Sequence, residues 1–75
     1  MTGIYLKLFA TLSSYSPDDE YIQVQDDTDI NQLIRDLGIP CDLVKLIFVN
    51  GVRKDTGYCL EDGDRVGLFP PVGGG

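Results

Sequence analysis

The residues of this chain best suited to chemistry are the last three, Gly73, Gly74 and Gly75, which follow Pro70-Pro71-Val72. Glycine has no Cβ, so such a terminus can enter a narrow channel and leave its final carbonyl carbon open to attack. Fully extended, residues 70–75 reach roughly 20 Å, and the two prolines fix φ at the base of this tail. The pattern predicts a terminus presented to another protein's active site. The alternative is a flexible linker or a remnant of cloning.

The remaining side chains provide little material for catalysis. The sequence has no histidine, which removes the usual general base at neutral pH and the commonest metal ligand. Cys41 and Cys59 lack Cys-x-x-Cys spacing, and we interpret both as small reduced hydrophobic residues. We therefore predict that the chain is not itself an enzyme and holds no metal ion or permanent cofactor.

Composition limits the classes of partner. The 75 residues are enough for one domain, and the net charge of −6 would repel the phosphate backbone of a nucleic acid. No apolar run approaches the roughly 20 residues of a membrane span, and residues 1–3 do not begin a charged secretion signal. We expect a cytoplasmic protein that binds neither nucleic acid nor membrane.

Alternating apolar residues predict two antiparallel strands at the start of the chain, over residues 4–9 and 21–25. The turn-rich segment 13–19 is the expected loop between them. The predicted inward positions are Ile4, Leu6, Leu8, Ile22 and Val24.

A short amphipathic helix follows. The acidic cluster 26–29 supplies N-capping residues, Gly38 is placed as a left-handed residue after the last turn, and Pro40 prevents continuation. One apolar stripe at helical spacing is formed by Ile30, Leu33, Ile34 and Leu37.

The second half of the chain predicts strands joined by tight turns. The apolar run 44–49 is typical of a strand covered on both faces, and Asn50-Gly51 predicts a hairpin to a brief strand at 52–54. We expect residues 58–60 to plug the core before a turn at 61–64.

The closing strand, 65–69, directs Val66 and Leu68 to one face and Phe69 to the other. The order ββαβ(β)β predicts an α+β fold in which the helix crosses one face of a mixed sheet of four to five strands. The closing strand then lies beside the first, near the centre of the sheet. The predicted domain covers 1–69, and 70–75 form its flexible tail.

The run from Leu60 to Gly75 closely resembles the C-terminus of the MoaD/ThiS sulfur-carrier family, in which an Asp-Gly-Asp turn enters a hydrophobic strand that ends in a di-glycine. Phe69-Pro70-Pro71-Val72 is similar to the MoaD branch, the small subunit of molybdopterin synthase. Residues 6–10 and 49–51 also match, so the resemblance covers essentially the whole chain. It implies the β-grasp, ubiquitin-like fold.

The resemblance also implies a reaction at Gly75. A MoeB-like activating enzyme would use ATP to adenylate its carboxylate, and a desulfurase or rhodanese-type donor would convert the adenylate to a thiocarboxylate. The tail would then insert into a MoaE-like large subunit. Gly73 and Gly74 would let the tail thread into these partners.

Six residues are predicted to contact the partner: Phe69, Pro70, Pro71, Val72, Tyr5 and Phe9. For Phe69 the alternative is packing within the monomer, and Tyr5 and Phe9 can be incidental exposed aromatics. Three functions remain open. The first is a carrier for molybdenum or tungsten pterin synthesis. The second uses the same tail for thiamin or other sulfur metabolism, or for conjugation to lysine as a ubiquitin-like modifier. The third is an interaction module with a passive tail.

Overall fold

The computed structural model describes residues 1–17 and 19–71. These form five strands, one α-helix and two 3₁₀ helices. The strands are β1 (Thr2–Leu8), β2 (Tyr21–Val24), β3 (Leu46–Val49), β4 (Val52–Arg53) and β5 (Arg65–Phe69). The α-helix, α1, covers Ile30–Asp36, and the 3₁₀ helices cover Ala10–Tyr15 and Cys41–Leu43. None of the helices formed by the described residues has the length and apolar composition that a membrane span requires.

The strands make one mixed sheet in the order β2-β1-β5-β3-β4. Strand β5 is parallel to β1 and antiparallel to β3, so the closing strand lies at the centre as the sequence predicts. Across the sheet, Lys7 of β1 pairs with Gly67 of β5, and Gly67 also pairs with Phe48 of β3. This α+β arrangement is the predicted β-grasp fold.

Helix α1 forms where its capping residues and apolar stripe predict it. The side chain of Asp29 accepts a hydrogen bond from the Gln32 amide at 2.8 Å, which satisfies one free donor of the first turn. Gly38 ends the helix with φ +77°, a conformation that a side chain disfavours. The stripe faces the sheet, with Ile30, Leu33 and Ile34 buried and Leu37 half-buried.

The core lies between α1 and the inner face of the sheet. Strand alternation separates the two faces, since successive side chains point in opposite directions. The sheet contributes Ile4, Leu6, Leu8, Ile47, Val49, Val66 and Leu68, all buried.

Three sequence predictions need correction. The connection after β1 is not only a loop, because Ala10–Tyr15 is a 3₁₀ helix that buries Leu12. Strand β3 is not covered on both faces, since Leu46 and Phe48 stay half-exposed opposite the buried Ile47. In the predicted core plug, Leu60 is buried and Tyr58 half-buried, but Cys59 is exposed.

The hairpin between β3 and β4 agrees with the prediction. Asn50 and Gly51 both have positive φ, +54° and +81°, as a two-residue turn of this handedness requires. The turn pairs Val49 with Val52. Strand β4 is one residue shorter than predicted, although the Lys54 amide still donates to the Ile47 carbonyl at 2.9 Å.

Candidate functional site

The base of the tail is fixed by the sheet. The carbonyl of Phe69, the last residue of β5, accepts a hydrogen bond from the Lys45 amide at 2.8 Å. Pro70 is buried and Pro71 is exposed, so the chain reaches the protein surface at the second proline. The sequence-predicted site residues Val72, Gly73, Gly74 and Gly75 lie outside the described residues.

A cluster of three phenylalanines surrounds the end of β5. The rings of Phe9 and Phe69 stack with centroids 4.2 Å apart and planes 4° from parallel. Phe48 meets Phe69 edge-on, with centroids 5.6 Å apart at 83°. Both arrangements are favourable ring geometries. Phe69 therefore packs within the monomer and also keeps part of its ring open, since it is only half-buried.

The sheet face opposite α1 carries an open groove, which we call the outer groove. Its volume is about 540 Å³. The residues that line it include Tyr5, Lys7, Phe9, Phe48, Gly67 and Phe69. The predicted partner residues Tyr5, Phe9 and Phe69 are thus brought together on one surface, next to Pro70.

Gly67 forms the floor of the outer groove. A Cβ built on Gly67 would lie 3.4 Å from Cε2 of Phe9 and 3.7 Å from Cε1 of Phe69, both near ordinary contact distances. Gly67 therefore lies against the edges of both rings, and an added Cβ would touch them without a clash.

Two cations stand beside the outer groove. The Lys7 ammonium lies 5.8 Å from the centroid of Phe9, and the Arg65 guanidinium lies 5.8 Å from the centroid of Tyr5. Such contacts combine an apolar stem with a charged end at the surface. Among the described residues, Glu20 contributes the only carboxylate to the lining of the groove.

Sequence reasoning did not select Lys7, Phe48, Arg65 or Gly67 as site residues. The usable signal is strand alternation, which places all four on the face opposite the buried residues. Their grouping depends on the register between β1, β5 and β3, which single strands do not specify.

A buried carboxylate fixes the start of β5. The side chain of Asp64 is buried, at 5% exposed. It accepts hydrogen bonds from the Asn50 side-chain amide at 2.9 Å, from the Tyr58 hydroxyl at 3.0 Å and from the Glu61 backbone amide at 2.9 Å. Asn50 in turn accepts from the Arg65 amide at 3.0 Å. Partial burial raises the pKa of Tyr58, and its hydrogen bond to the Asp64 carboxylate raises that pKa further.

Other chemical groups are sparse in the part of the chain that the structure describes. There, no three side chains of Cys, Asp or Glu are grouped so that they could hold a metal ion. Cys41 and Cys59 are free, and both are exposed.

Comparison with solved structures supports the fold and the family. A protein from Pyrococcus furiosus described as molybdopterin converting factor, subunit 1, is 27% identical, with a TM-score of 0.75 over 96% of this chain and 100% of its own. The Haloferax volcanii HVO 2177 protein is 27% identical, with a TM-score of 0.75 over 99% of this chain and 87% of its own.

A third solved structure shows the shared fold alone. The small archaeal modifier protein 1 of Haloferax volcanii is 22% identical, with a TM-score of 0.73 over 96% of this chain and 100% of its own. No protein of curated function matches the sequence.

The family assignment rests on the sequence as well as on the fold. Residues 6–75 match the model of the ThiS family, and this match includes the three C-terminal glycines. The chain belongs to the ThiS family of small ubiquitin-like sulfur-carrier proteins.

Proposed function

We propose that this protein is a sulfur carrier whose C-terminal Gly75 becomes a thiocarboxylate and donates sulfur in molybdopterin biosynthesis, as the MoaD-like small subunit of molybdopterin synthase. The observation that carries this proposal is the family match that continues through the terminal glycines. The Pyrococcus relative, described as a subunit of molybdopterin converting factor, favours the molybdopterin branch.

The chemistry begins with a carboxylate that must be activated. A free α-carboxyl group has a pKa of about 3.3–3.7, so Gly75 is ionised at neutral pH and resists nucleophiles. An oxygen of this carboxylate attacks the α-phosphorus of ATP on a MoeB-like enzyme, which releases pyrophosphate and forms an acyl-adenylate. The outer sulfur of a persulfide on a desulfurase or rhodanese-type donor attacks the carbonyl carbon, AMP leaves, and an acyl disulfide is formed. A thiol then cleaves the S–S bond of this acyl disulfide by exchange, which releases the thiocarboxylate and leaves a disulfide between the thiol and the donor.

The product can transfer sulfur without a catalytic base from this chain. A thioacid is more acidic than a thiol, so the thiocarboxylate is ionised and nucleophilic at physiological pH. A carrier of this kind therefore has no need of a histidine, and this sequence has none. In this account the chain is a substrate, and the residues that catalyse dithiolene formation belong to a MoaE-like large subunit.

The structural support lies in the rigid base of the tail. Strand β5 is hydrogen-bonded on both sides, to β1 and to β3, and its last residue packs against Phe9 and Phe48. Buried Pro70 continues this fixed segment, so the direction in which the chain leaves the domain is set before any partner binds. We assign Gly73 and Gly74 to threading through the partner's channel.

The partner-facing surface in this proposal is the outer groove with the two prolines. Tyr5 is 48% exposed, and Phe9 and Phe69 are half-buried, so each offers apolar area beside the tail. Contiguous exposed apolar surface of this kind is typical of interaction sites. We include Val72 in the same contact because it follows Pro71 directly.

Two other uses of the same tail are compatible with the family. One is sulfur delivery to thiamin or another sulfur metabolite. The other is conjugation to lysine, a role suggested by the name of the Haloferax modifier protein. Genes of the pterin or thiazole pathway beside this gene would choose between the cofactor branches, and lysine-linked adducts in a cell lysate would favour the modifier.

Intact-mass analysis tests the carrier function. The full chain is co-expressed with an activating enzyme of the ubiquitin-activating type and a sulfur donor, and its mass is then measured. The proposal expects the increase caused by replacing one oxygen with sulfur. An unmodified chain beside an enzyme that is active on another carrier would instead favour a passive interaction module.

A further inference from the structure

The turn between β3 and β4 contains two residues that can react with each other. Asn50 is followed directly by Gly51, and both are exposed. The side-chain Cγ of an asparagine is an electrophile, and the backbone nitrogen of the next residue can attack it to close a five-membered ring. A Cβ on that next residue hinders the attack, and Gly51 has none. The other asparagine of the chain, Asn31, is instead followed by Gln32 in the first turn of α1.

The nucleophile of this reaction is the backbone nitrogen of Gly51. Within the part of the chain that the structure describes, this amide donates no hydrogen bond to another residue. A Cβ built on Gly51 would meet no atom within 4 Å, so the space beside this exposed residue is open to solvent. Water or hydroxide there can take the amide proton, a step that the attack on Cγ requires.

The electrophile, in contrast, is held at both ends of its side-chain amide. Nδ2 of Asn50 donates to Oδ1 of Asp64 at 2.9 Å, and Oδ1 of Asn50 accepts from the Arg65 amide at 3.0 Å. The Asn50 backbone amide also donates to the Arg65 carbonyl at 2.8 Å. Ring closure changes the side-chain torsions of Asn50, and this movement breaks both side-chain bonds. The contacts that oppose the reaction are therefore those that join the turn to the first residue of β5.

We infer that Asn50 is a deamidation site, and that its hydrogen bond to Asp64 controls the rate because the reaction starts from a transiently opened turn. The deprotonated Gly51 nitrogen bonds to Cγ of Asn50, the bond between Cγ and Nδ2 breaks, and Nδ2 leaves as ammonia with a proton from water. Water then opens the succinimide at one of its two carbonyl carbons, which gives aspartate or isoaspartate at position 50. No oxidant or reductant takes part, and nothing in this reaction depends on the chemistry of Gly75.

The product lacks the contact that protected the asparagine. Aspartate at position 50 has no Nδ2 donor, and it brings a second carboxylate against that of Asp64, where the donor and acceptor are now 2.9 Å apart. Like charges this close repel each other. Isoaspartate adds a carbon to the main chain, which disrupts the two-residue turn that pairs Val49 with Val52. Either product therefore loosens the link between the hairpin and β5, the strand that leads to the tail.

The first test locates the reaction and measures its rate. Full-length wild-type protein and the peptide Ile-Phe-Val-Asn-Gly-Val-Arg, the sequence of residues 47–53, are incubated in the same mildly alkaline buffer, and conversion is followed by peptide mapping with mass spectrometry. We expect conversion at Asn50 to be roughly 100-fold slower in the protein than in the peptide, about tenfold for each side-chain hydrogen bond that must break. An equal rate in protein and peptide, faster conversion at Asn31, or an Asn50 that stays intact throughout would overturn the inference.

Two destabilised variants test whether the bond to Asp64 controls the rate. Asp64→Ala removes the acceptor of Asn50 Nδ2, whereas Leu33→Ala removes a buried side chain of α1. Urea is added to the more stable variant until their free energies of unfolding are equal. We expect deamidation of Asn50 to be about tenfold faster in Asp64→Ala than in Leu33→Ala. Equal rates would show that global unfolding governs the reaction, and would overturn the inference.

The wild-type chain answers the same question if Asp64→Ala does not fold. Opening of one turn exposes little surface, so the rate at Asn50 should stay nearly constant in low concentrations of urea. A rate that rises in parallel with the population of globally unfolded protein would overturn the role of the turn.

Asn50→Asp tests the consequence of the reaction, since it reproduces the aspartate product. The control is Asn31→Asp, the same substitution at an exposed position in the first turn of α1. We expect the Tm of Asn50→Asp to fall by about 5–10 °C and hydrogen exchange of the Arg65 amide to become faster. Asn31→Asp should keep the wild-type Tm, because a negative charge is favourable in the first turn of a helix. Equal Tm values for the two variants would contradict the loosening of β5.

Discussion

The ring of Phe69 lies flat against the ring of Phe9, with centroids 4.2 Å apart. Phe69 is the last residue of β5, and Phe9 directly follows the parallel strand β1. The Phe9 amide also donates a hydrogen bond to the Leu68 carbonyl at 3.1 Å. The stack therefore fixes the last residue before the tail to the centre of the sheet, and it forms one wall of the outer groove.

The stack predicts energetic coupling between the two rings. In a double-mutant cycle with Phe9→Leu and Phe69→Leu, we expect a coupling free energy of about 0.5–1.5 kcal/mol, the range found for aromatic pairs. Urea unfolding of the four proteins measures it. Tyr21→Leu combined with Phe69→Leu is the control, since the Tyr21 ring packs against Tyr5 instead, at an interplanar angle of 57°. An equally large coupling free energy in the control cycle would show that contact between the two stacked rings is not its source.

Asp64 predicts a second effect on stability. In Asp64→Asn one carboxylate oxygen becomes an NH₂ group, which is a donor and accepts no hydrogen bond. In place of Oδ2 it would leave the Tyr58 hydroxyl and the Glu61 backbone amide without an acceptor, and in place of Oδ1 it would face the Asn50 side-chain amide, which is also a donor. We expect the free energy of unfolding to fall by about 3 kcal/mol, because part-buried donors lose the charged acceptor that they share.

The control for Asp64 is Asp62→Asn, the same substitution at an exposed position. The side chain of Asp62 accepts only from the Gly3 amide among the described residues, and asparagine retains an oxygen for that bond. We expect a loss below about 1 kcal/mol. Equal losses in the two variants would show that the buried carboxylate is not specially required.

The Asn50-Gly51 turn predicts a difference between two glycines. Gly51→Ala places a Cβ on a residue with φ +81°, and we expect a loss of about 1–2 kcal/mol in the free energy of unfolding. At Gly57 the φ angle is not in the positive range and an added Cβ would meet Asp55 at an ordinary 3.5 Å. Gly57→Ala should therefore be neutral or slightly stabilising. The reverse order in thermal melts would refute the assigned turn.

Asp26 predicts how stability depends on acid. The hydrogen bond from the Thr2 hydroxyl and the N-terminal ammonium 3.4 Å away hold the pKa of Asp26 below its ordinary 3.8. A depressed pKa stabilises the folded state above pH 3.8, and this contribution disappears as the pH falls from 3.8 through the folded pKa.

The stability difference between wild type and Asp26→Asn should therefore shrink below pH 3.8. Thr2→Val removes the hydroxyl donor and should raise the folded-state pKa of Asp26 towards 3.8, so that less stability is lost as the pH falls below 3.8. The measurement is the free energy of unfolding across acidic pH for all three proteins. If the difference in the free energy of unfolding between wild type and Asp26→Asn stays constant across acidic pH, the hydrogen bond and ion pair of Asp26 do not cause it.

Local patterns in the sequence were enough to predict most of the fold. Helix α1 follows from its capping residue Asp29 and its stripe, and the Asn50-Gly51 hairpin follows from a dipeptide that tolerates positive φ. Such features depend on residues close together in the chain, and tertiary packing here agrees with them.

Features that depend on distant residues were not predictable. Leu12 is one apolar residue in a polar segment, and only the assembled core shows that it is buried. Strand β3 is apolar throughout, so its sequence predicts burial on both faces. In the structure Phe48 lines the outer groove and does not enter the core. Asp64 reads as a turn residue, while its partner Asn50 is 14 positions away.

The central claim is that Gly75 carries the reacting carbon, and one measurement tests it most directly. Wild-type chain and a chain lacking Gly74-Gly75 are each incubated with the activating enzyme, ATP and a sulfur donor, and fragment masses then locate any added sulfur. We predict sulfur only at Gly75 of the wild type, with equal thermal stability of both chains. Sulfur on the truncated chain, or at Cys41 or Cys59 of the wild type, would contradict the account.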